Sequence, residues 1–175
     1  IRTVVRKGGG HTGRYRLQKF IFVAGEKNFI TTHTESGCTF TFDIRKTYFS
    51  PRSSSERLRL ASLIAPGESV LVLFSGIAPF PLVFSRHSKA KEIIGIELNA
   101  AAHVFGKANV LRNKAGNVRL FQGDVRKVVP LLNQRFDRIV MPLPKTAYAF
   151  LPLALASAKK GGVVHYYEFT GADQL

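Results

Sequence analysis

The chain carries a single cysteine, Cys38, among 175 residues, so no internal disulfide can form. No second cysteine and no histidine cluster stand near it at zinc-ligand spacing, and no metal is expected. No apolar run approaches the roughly 18 residues that a membrane-crossing helix needs. The first residues lack the charged, apolar, small-residue order of a signal peptide. These absences exclude a disulfide-stapled secreted scaffold and a helical membrane protein, and the chain reads as soluble and cytoplasmic. Internal repeats and low-complexity tracts are also missing. The first residue is Ile1 rather than Met, so the chain reads as a fragment of something longer.

Acidic residues are the other scarcity. Eleven Asp and Glu face 26 Lys and Arg, a formal net charge of +15. Such a balance favours phosphate-rich partners, because releasing their counterions drives association. Nucleic acid is the leading candidate, and a merely solvated basic surface is the plain alternative. Position narrows the choice. Residues 1–60 hold 12 Lys or Arg and 4 Asp or Glu, and Tyr15, Phe20, Tyr48 and Phe49 lie among them. Basic residues mixed with aromatics suit backbone neutralisation with base stacking.

The first 50 residues read as short strands punctuated by turns. "GRYRLQKFIFVAG" alternates, "EKN" turns, "FITTHTE" continues, "SG" turns, and "CTFTFDI" alternates again. A small antiparallel β-rich module over 1–50 is expected. Ser53, Ser54 or Ser55 can then cap a helix whose Leu58, Leu60, Ala61 and Ile64 form one apolar side, stopped by Pro66 and Gly67. From residue 68, apolar runs "SVLVLF", "EIIGIE", "NVRLFQ", "FDRIVM" and "GVVHYYEF" alternate with helical patterns around 80–88, 99–113, 124–133 and 145–160. Near-continuous apolar strands alternating with helices predict a doubly wound, Rossmann-like α/β domain over 51–175.

In such sheets ligands bind beyond the carboxyl ends of the strands, where strand order reverses. After the first run, Gly76 permits close backbone approach, although ordinary strand-to-helix turns use glycine too. Glu97 follows the second run, 21 residues beyond Gly76, an offset at which an acid can take the hydroxyls of a ribose. Asp124 follows the third, placed either to accept from an adenine amino group or to cap its own helix. Phe74, Leu98 and Val125 are expected beside them at the cofactor. After the fourth run comes "MPLPKTA", whose prolines can wall the reacting centre, Pro144 toward the cofactor, Pro142 and Lys145 toward the substrate. An adenosine-bearing cofactor fits this order, and the absence of GxGxxG favours S-adenosyl-L-methionine over a dinucleotide.

"TTHTESGCTFTFDIRKTYFSPRSSSERLRLA", followed by "LFSGIAPF", "GIELN", "GDVR", "PLPKTA" and "GGVVHYYEF", resembles the archaeal and eukaryotic tRNA guanine-37 N1 methyltransferase family, along essentially the whole chain. The resemblance implies a class I methyltransferase domain, S-adenosyl-L-methionine as cofactor, the anticodon loop of tRNA as partner, and a monomer. It also implies that a separate N-terminal domain would precede Ile1. By the same resemblance, Arg16 would steady guanine O6 as charge builds there, and Glu56 would take the N1 proton. Tyr48 would stack on the base, and Arg52 would organise that corner. Taken by themselves, Arg16 could contact phosphate, Glu56 could pair with Arg52 or Arg59, and Tyr48 could be core.

The family pattern is broken at three places. Relatives usually carry an acid where Val72 stands, a glycine where Ala78 stands, and Asn-Leu-Pro where this chain has Pro142, Leu143 and Pro144. Val72 removes a loop-anchoring acceptor, Ala78 adds a methyl near the ligand, and the side-chain amide is lost. These departures keep other readings open: a wybutosine-pathway sibling transferring an aminocarboxypropyl group, a carbon methyltransferase acting on the tricyclic intermediate, and a non-catalytic RNA-binding relative. A small-molecule methyltransferase has no use for the basic first lobe.

Overall fold

A computed structural model describes residues 1–142 and 146–168. Thr3–Thr12 (β1) pairs antiparallel with Leu17–Gly25 (β2). The glycine-rich "KGGGH" stretch gives no alternation, and β1 is a strand that periodicity does not reveal. Between Lys7 and His11 its register shifts, and the Gln18 Nε2 donates to Gly9 O at 2.6 Å across that irregularity. Ile30–Glu35 (β3) and Cys38–Asp43 (β4) form a second antiparallel pair, close to the expected positions.

A 3₁₀ turn, Pro51–Ser53, leads into α1 (Ser54–Ser62). Ser53 occupies the cap position, but its side chain makes no capping bond. The expected apolar side of α1 needs correction. Leu58 is exposed, while Arg57 is buried in its place. Its guanidinium donates through Nε to Glu35 Oε1 at 2.6 Å and through Nη2 to Ser50 O at 3.1 Å, so an ion pair with β3 fills the interior position.

The remaining elements alternate: β5 (Ser69–Leu73), α2 (Pro79–His87), β6 (Glu92–Glu97), α3 (Ala100–Arg112), β7 (Val118–Gln122), α4 (Val125–Leu131), β8 (Phe136–Met141), α5 (Leu151–Ser157) and β9 (Ala158–Tyr166). The five strands form one parallel sheet in the order β7-β6-β5-β8-β9. Alternate residues of β5 feed two cores. Val70 and Val72 pack with α1, α2, α3 and β4, whereas Leu71 and Leu73 pack with α4 and α5. The doubly wound fold follows directly from those two apolar faces.

Two boundaries differ from expectation. The last helix is a 3₁₀ turn, Ala147–Phe150, followed by the short α5. The last strand starts at Ala158 rather than Gly162, with a register shift between Phe136 and Arg138 opposite its glycines. Strand β4 docks on α3 through its backbone. Asn113 exchanges bonds with Thr39 N (2.8 Å) and Thr39 O (2.7 Å), and Asn109 does so with Thr41 N (2.9 Å) and Thr41 O (3.2 Å).

On β8, the buried Arg138 forks onto Glu68 at 2.8 and 2.9 Å and donates to His165 Nε2 at 2.8 Å. Since arginine only donates, Nε2 must carry its lone pair and His165 must be neutral. Burial, then Arg138 and Arg59, hold its pKa below the ordinary 6.5, against Glu56 and Glu68. This contribution to stability is complete above the unfolded value and is lost as pH falls through the lower folded one. The urea midpoint is therefore expected to fall between about pH 7.5 and about pH 5, and to fall less in His165→Gln. Equal losses in both proteins would remove His165 as the cause. His11 and His103, whose pKa values are also lowered, titrate in both and cancel from the comparison.

Candidate functional site

The strand order reverses between β5 and β8, and the chain beyond their carboxyl ends is built for close approach. After β5, Phe74, Gly76 and Ala78 have φ of 60°, 58° and 70°. Glycine takes this left-handed conformation freely, whereas each side chain there costs about 1 kcal/mol. Ala78 caps α2 in that conformation, and its methyl is fully buried in the core rather than at a ligand position. Val72 is likewise fully buried, in register between Gly95 and Val140. No acid reaches the loop from there, and Ser75 Oγ is buried without a hydrogen-bond partner among the described residues. Gly95 makes room for this loop, since a Cβ there would fall 3.0 Å from Ser75 Oγ and 2.6 Å from Leu120 Cδ2.

Glu97, at the end of β6, anchors the turn in place of position 72. Its Oε2 accepts from Gly76 N at 2.7 Å and its Oε1 from Asn99 N at 2.7 Å. Burial pushes this carboxyl above the ordinary glutamate value, against the amides of Asn99, Gly76 and Leu98. With about four acceptor sites, the carboxylate keeps capacity beyond these amides. Asn99 caps α3 by accepting from Ala101 N at 3.0 Å and donates to Lys46 O at 2.8 Å, tying β6 to the segment before Tyr48.

Asp124 caps α4, accepting from Arg126 N at 3.0 Å. Arg126 and, across the cavity mouth, Arg14 also hold it, and the Arg126 guanidinium keeps the carboxyl far below its ordinary value. Phe74 and Phe150 meet edge to face at 4.9 Å. From the other lobe comes the β1–β2 turn, Gly13 to Arg16, closed by Arg16 N donating to Gly13 O at 3.1 Å. It sets the Arg16 guanidinium 4.4 Å over the Tyr48 ring, which His11 meets edge-on at 5.2 Å.

These groups enclose a cavity of about 360 Å³. Of the residues expected at the site, Arg16, Tyr48, Phe74, Gly76, Glu97, Leu98, Asp124, Val125 and Pro142 line it. Glu56 and Arg52 do not. Arg52 is exposed in the 3₁₀ turn. Glu56 is gripped by Arg59 at 2.7 Å on both oxygens and accepts the Tyr167 hydroxyl. Pro144 and Lys145 lie outside the described residues. Phe49, expected among the stacking aromatics, belongs to the core, 5.7 Å from Phe40 and 5.1 Å from Phe42. Tyr15, expected among the stacking aromatics, also lines it, and Arg14, Asn99, Thr146 and Phe150 do so without having been anticipated there. Only Asn99, two residues after Glu97 at a helix start, carried a usable signal. No group of three or more metal-ligating side chains comes together among the described residues. Among them, no helix is long and apolar enough to cross a membrane.

The TRM5/TYW2 methyltransferase domain family matches residues 31–175. The tRNA (guanine(37)-N(1))-methyltransferase Trm5b of Pyrococcus abyssi is 36% identical over 97% of this chain and 49% of its own length. The tRNA 4-demethylwyosine(37)-methyltransferase Taw21 of Saccharolobus solfataricus is 36% identical over 89% of this chain and 59% of its own. A structure of M. jannaschii TYW2 in complex with AdoMet superposes with a TM-score of 0.80 at 30% identity, covering 88% of this chain and 69% of that one. The chain thus spans about half the length of the curated relatives it matches.

Proposed function

The chain belongs to the TRM5/TYW2 methyltransferase family, and from that membership we propose that it is the catalytic part of an S-adenosyl-L-methionine-dependent tRNA methyltransferase acting at N1 of guanosine 37. The observation that carries this reading is the cavity itself. It is walled on one side by the carboxyl ends of the parallel strands and on the other by Arg16 and Tyr48 from the basic N-terminal segment. A nucleoside-sized ligand has room there, within the size range of small-molecule sites, with the basic segment at its rim.

The residues present fit the cofactor. Glu97 keeps acceptor capacity beyond its backbone bonds, which suits a ribose hydroxyl. Gly76 leaves open space where a side chain would stand, its nearest neighbour in that direction being Tyr48 O at 3.9 Å. Phe74 and Phe150 give an aromatic wall. When bound, S-adenosyl-L-methionine supplies an already activated methyl group, so the chain contributes chiefly placement. Arg16, held over Tyr48, steadies guanine O6 in this reading as negative charge develops. Tyr48 offers its ring to the base. Glu56 stands outside the cavity lining, so to take the N1 proton it must both reach the base and give up Arg59, whose ion pair otherwise makes the carboxylate a weak base. Arg52, Pro142 and Lys145 belong to the substrate side of this picture, and Pro144 to the cofactor side. In this reading the protein acts as a cytoplasmic monomer.

A second reading rests on one observation. Identity to a 4-demethylwyosine methyltransferase equals that to a guanine-37 enzyme, at 36% each. The deciding experiment incubates the chain and S-adenosyl-L-methionine with a G37 transcript, a G37-to-A control and a tRNA bearing 4-demethylwyosine. Nucleoside mass analysis is expected to find 1-methylguanosine in the first alone. Modification of only the third would replace the leading reading by the second. An unmodified set from the chain carrying its full-length flanks would leave a non-catalytic RNA binder.

A further inference from the structure

Asp124 is saturated before any ligand arrives. Its Oδ1 accepts from Arg126 N at 3.0 Å and Arg126 Nε at 3.0 Å, and its Oδ2 from Arg126 Nη2 at 2.7 Å and Arg14 Nη2 at 3.4 Å. A carboxylate offers about four acceptor sites, and four bonds fill them. Three of the four are local. The backbone bond caps α4, and Arg126 also leans on Phe150, its guanidinium carbon 5.5 Å from the ring centre. The fourth comes from 110 residues away, at the tip of the β1–β2 hairpin, and is the longest. Arg14 holds Asp124 through this one bond alone, whereas Arg126 holds it through three.

We propose that Arg14 competes with the cofactor's adenine for Asp124, and that this competition couples cofactor binding to RNA binding. The inference rests on the functional reading above. An exocyclic amine reaching Asp124 from the cavity must displace one donor, and Arg14 is the donor whose loss uncaps nothing. Displaced, its guanidinium stands at the cavity mouth on a basic hairpin, free to pair with an RNA phosphate. The coupling runs equally in the other direction: RNA that captures Arg14 uncovers Asp124 and tightens the cofactor by the same factor. Arg14 is thus a positioning residue that acts through Asp124.

The test is calorimetric titration of S-adenosylhomocysteine into wild type, Arg14→Gln and Arg14→Lys, each with and without an anticodon stem-loop RNA. An exposed ion pair sets the scale at about two- to fivefold. Without RNA, Arg14→Gln is expected to bind the ligand tighter by that factor, with Arg14→Lys in between. RNA is expected to tighten binding to wild type and to leave Arg14→Gln unchanged. Equal or weaker binding by RNA-free Arg14→Gln overturns the competition while leaving the cofactor reading intact. Persistence of the RNA effect in Arg14→Gln overturns the coupling. Failure of wild type to bind S-adenosylhomocysteine at all overturns the cofactor reading, and the proposal with it.

Discussion

Arg57→Leu is expected to lower the unfolding free energy by about 3–5 kcal/mol, read from urea denaturation. The guanidinium is 2% exposed and Glu35 is 6% exposed, so removing the cation leaves a buried carboxylate with only His33 Nε2 at 3.1 Å for company. The loss is electrostatic more than steric. Leucine fills part of the space between Phe49 and Phe80, whose ring centres lie 5.4 and 5.6 Å from the guanidinium carbon. The double substitution Arg57→Leu with Glu35→Leu is therefore expected to recover most of the stability, because replacing both members of a buried pair is often close to neutral. A single-variant loss below about 1 kcal/mol would show that water reaches the pair. The same variant releases Ser50 O, which Arg57 holds at 3.1 Å, and so loosens the turn that presents Tyr48.

Glu56→Gln is expected to reduce methyl transfer to G37 by about 10²- to 10⁴-fold, measured as single-turnover rate with bound tRNA. Guanine N1 keeps its proton at neutral pH, and glutamine cannot accept it. Folding is expected to change little, since the Arg59 partner is largely exposed and such pairs contribute about 1 kcal/mol at most. Arg59 first, then the Tyr167 hydroxyl, holds the Glu56 pKa below the usual carboxylate value. The group is consequently ionised throughout the neutral range in the resting protein, and protonation of Glu56 is not expected to limit the wild-type rate there. A Glu56→Gln rate within tenfold of wild type would remove Glu56 as the base.

Much of the sheet was legible because β5, β6 and β8 are near-continuous apolar runs that suit only strands covered on both sides. The three cavity-lining positions Gly76, Glu97 and Asp124 were legible for a related reason. Each lies at a strand's carboxyl end or within three residues of it, so once the strands are placed these positions are too. What stayed hidden depends on partners distant in the chain. Arg57 looks like one more basic residue on a helix until Glu35, 22 positions earlier, is brought beside it. Phe150 and Thr146 reach the cavity from a 3₁₀ turn and the residue before it, where a regular helix was expected. β1 escaped notice because three successive glycines erase the alternation that marks a strand. Glu56 was singled out only through the family resemblance, and its ion pair with Arg59 shows why spacing alone could not have done so.

The asparagine contacts between α3 and β4 have one more consequence, for association between chains. Four residues of helix advance about 6 Å and two residues of strand about 6.8 Å, so Asn109 and Asn113 match Thr41 and Thr39 in step. Each carboxamide offers one acceptor and one donor, the same pair that a peptide group in a neighbouring strand would present. The outer edge of β4 is in effect already paired, by side chains instead of backbone. Of the two edges of this two-stranded sheet, the helix thereby closes β4's to edge-to-edge pairing with a second chain.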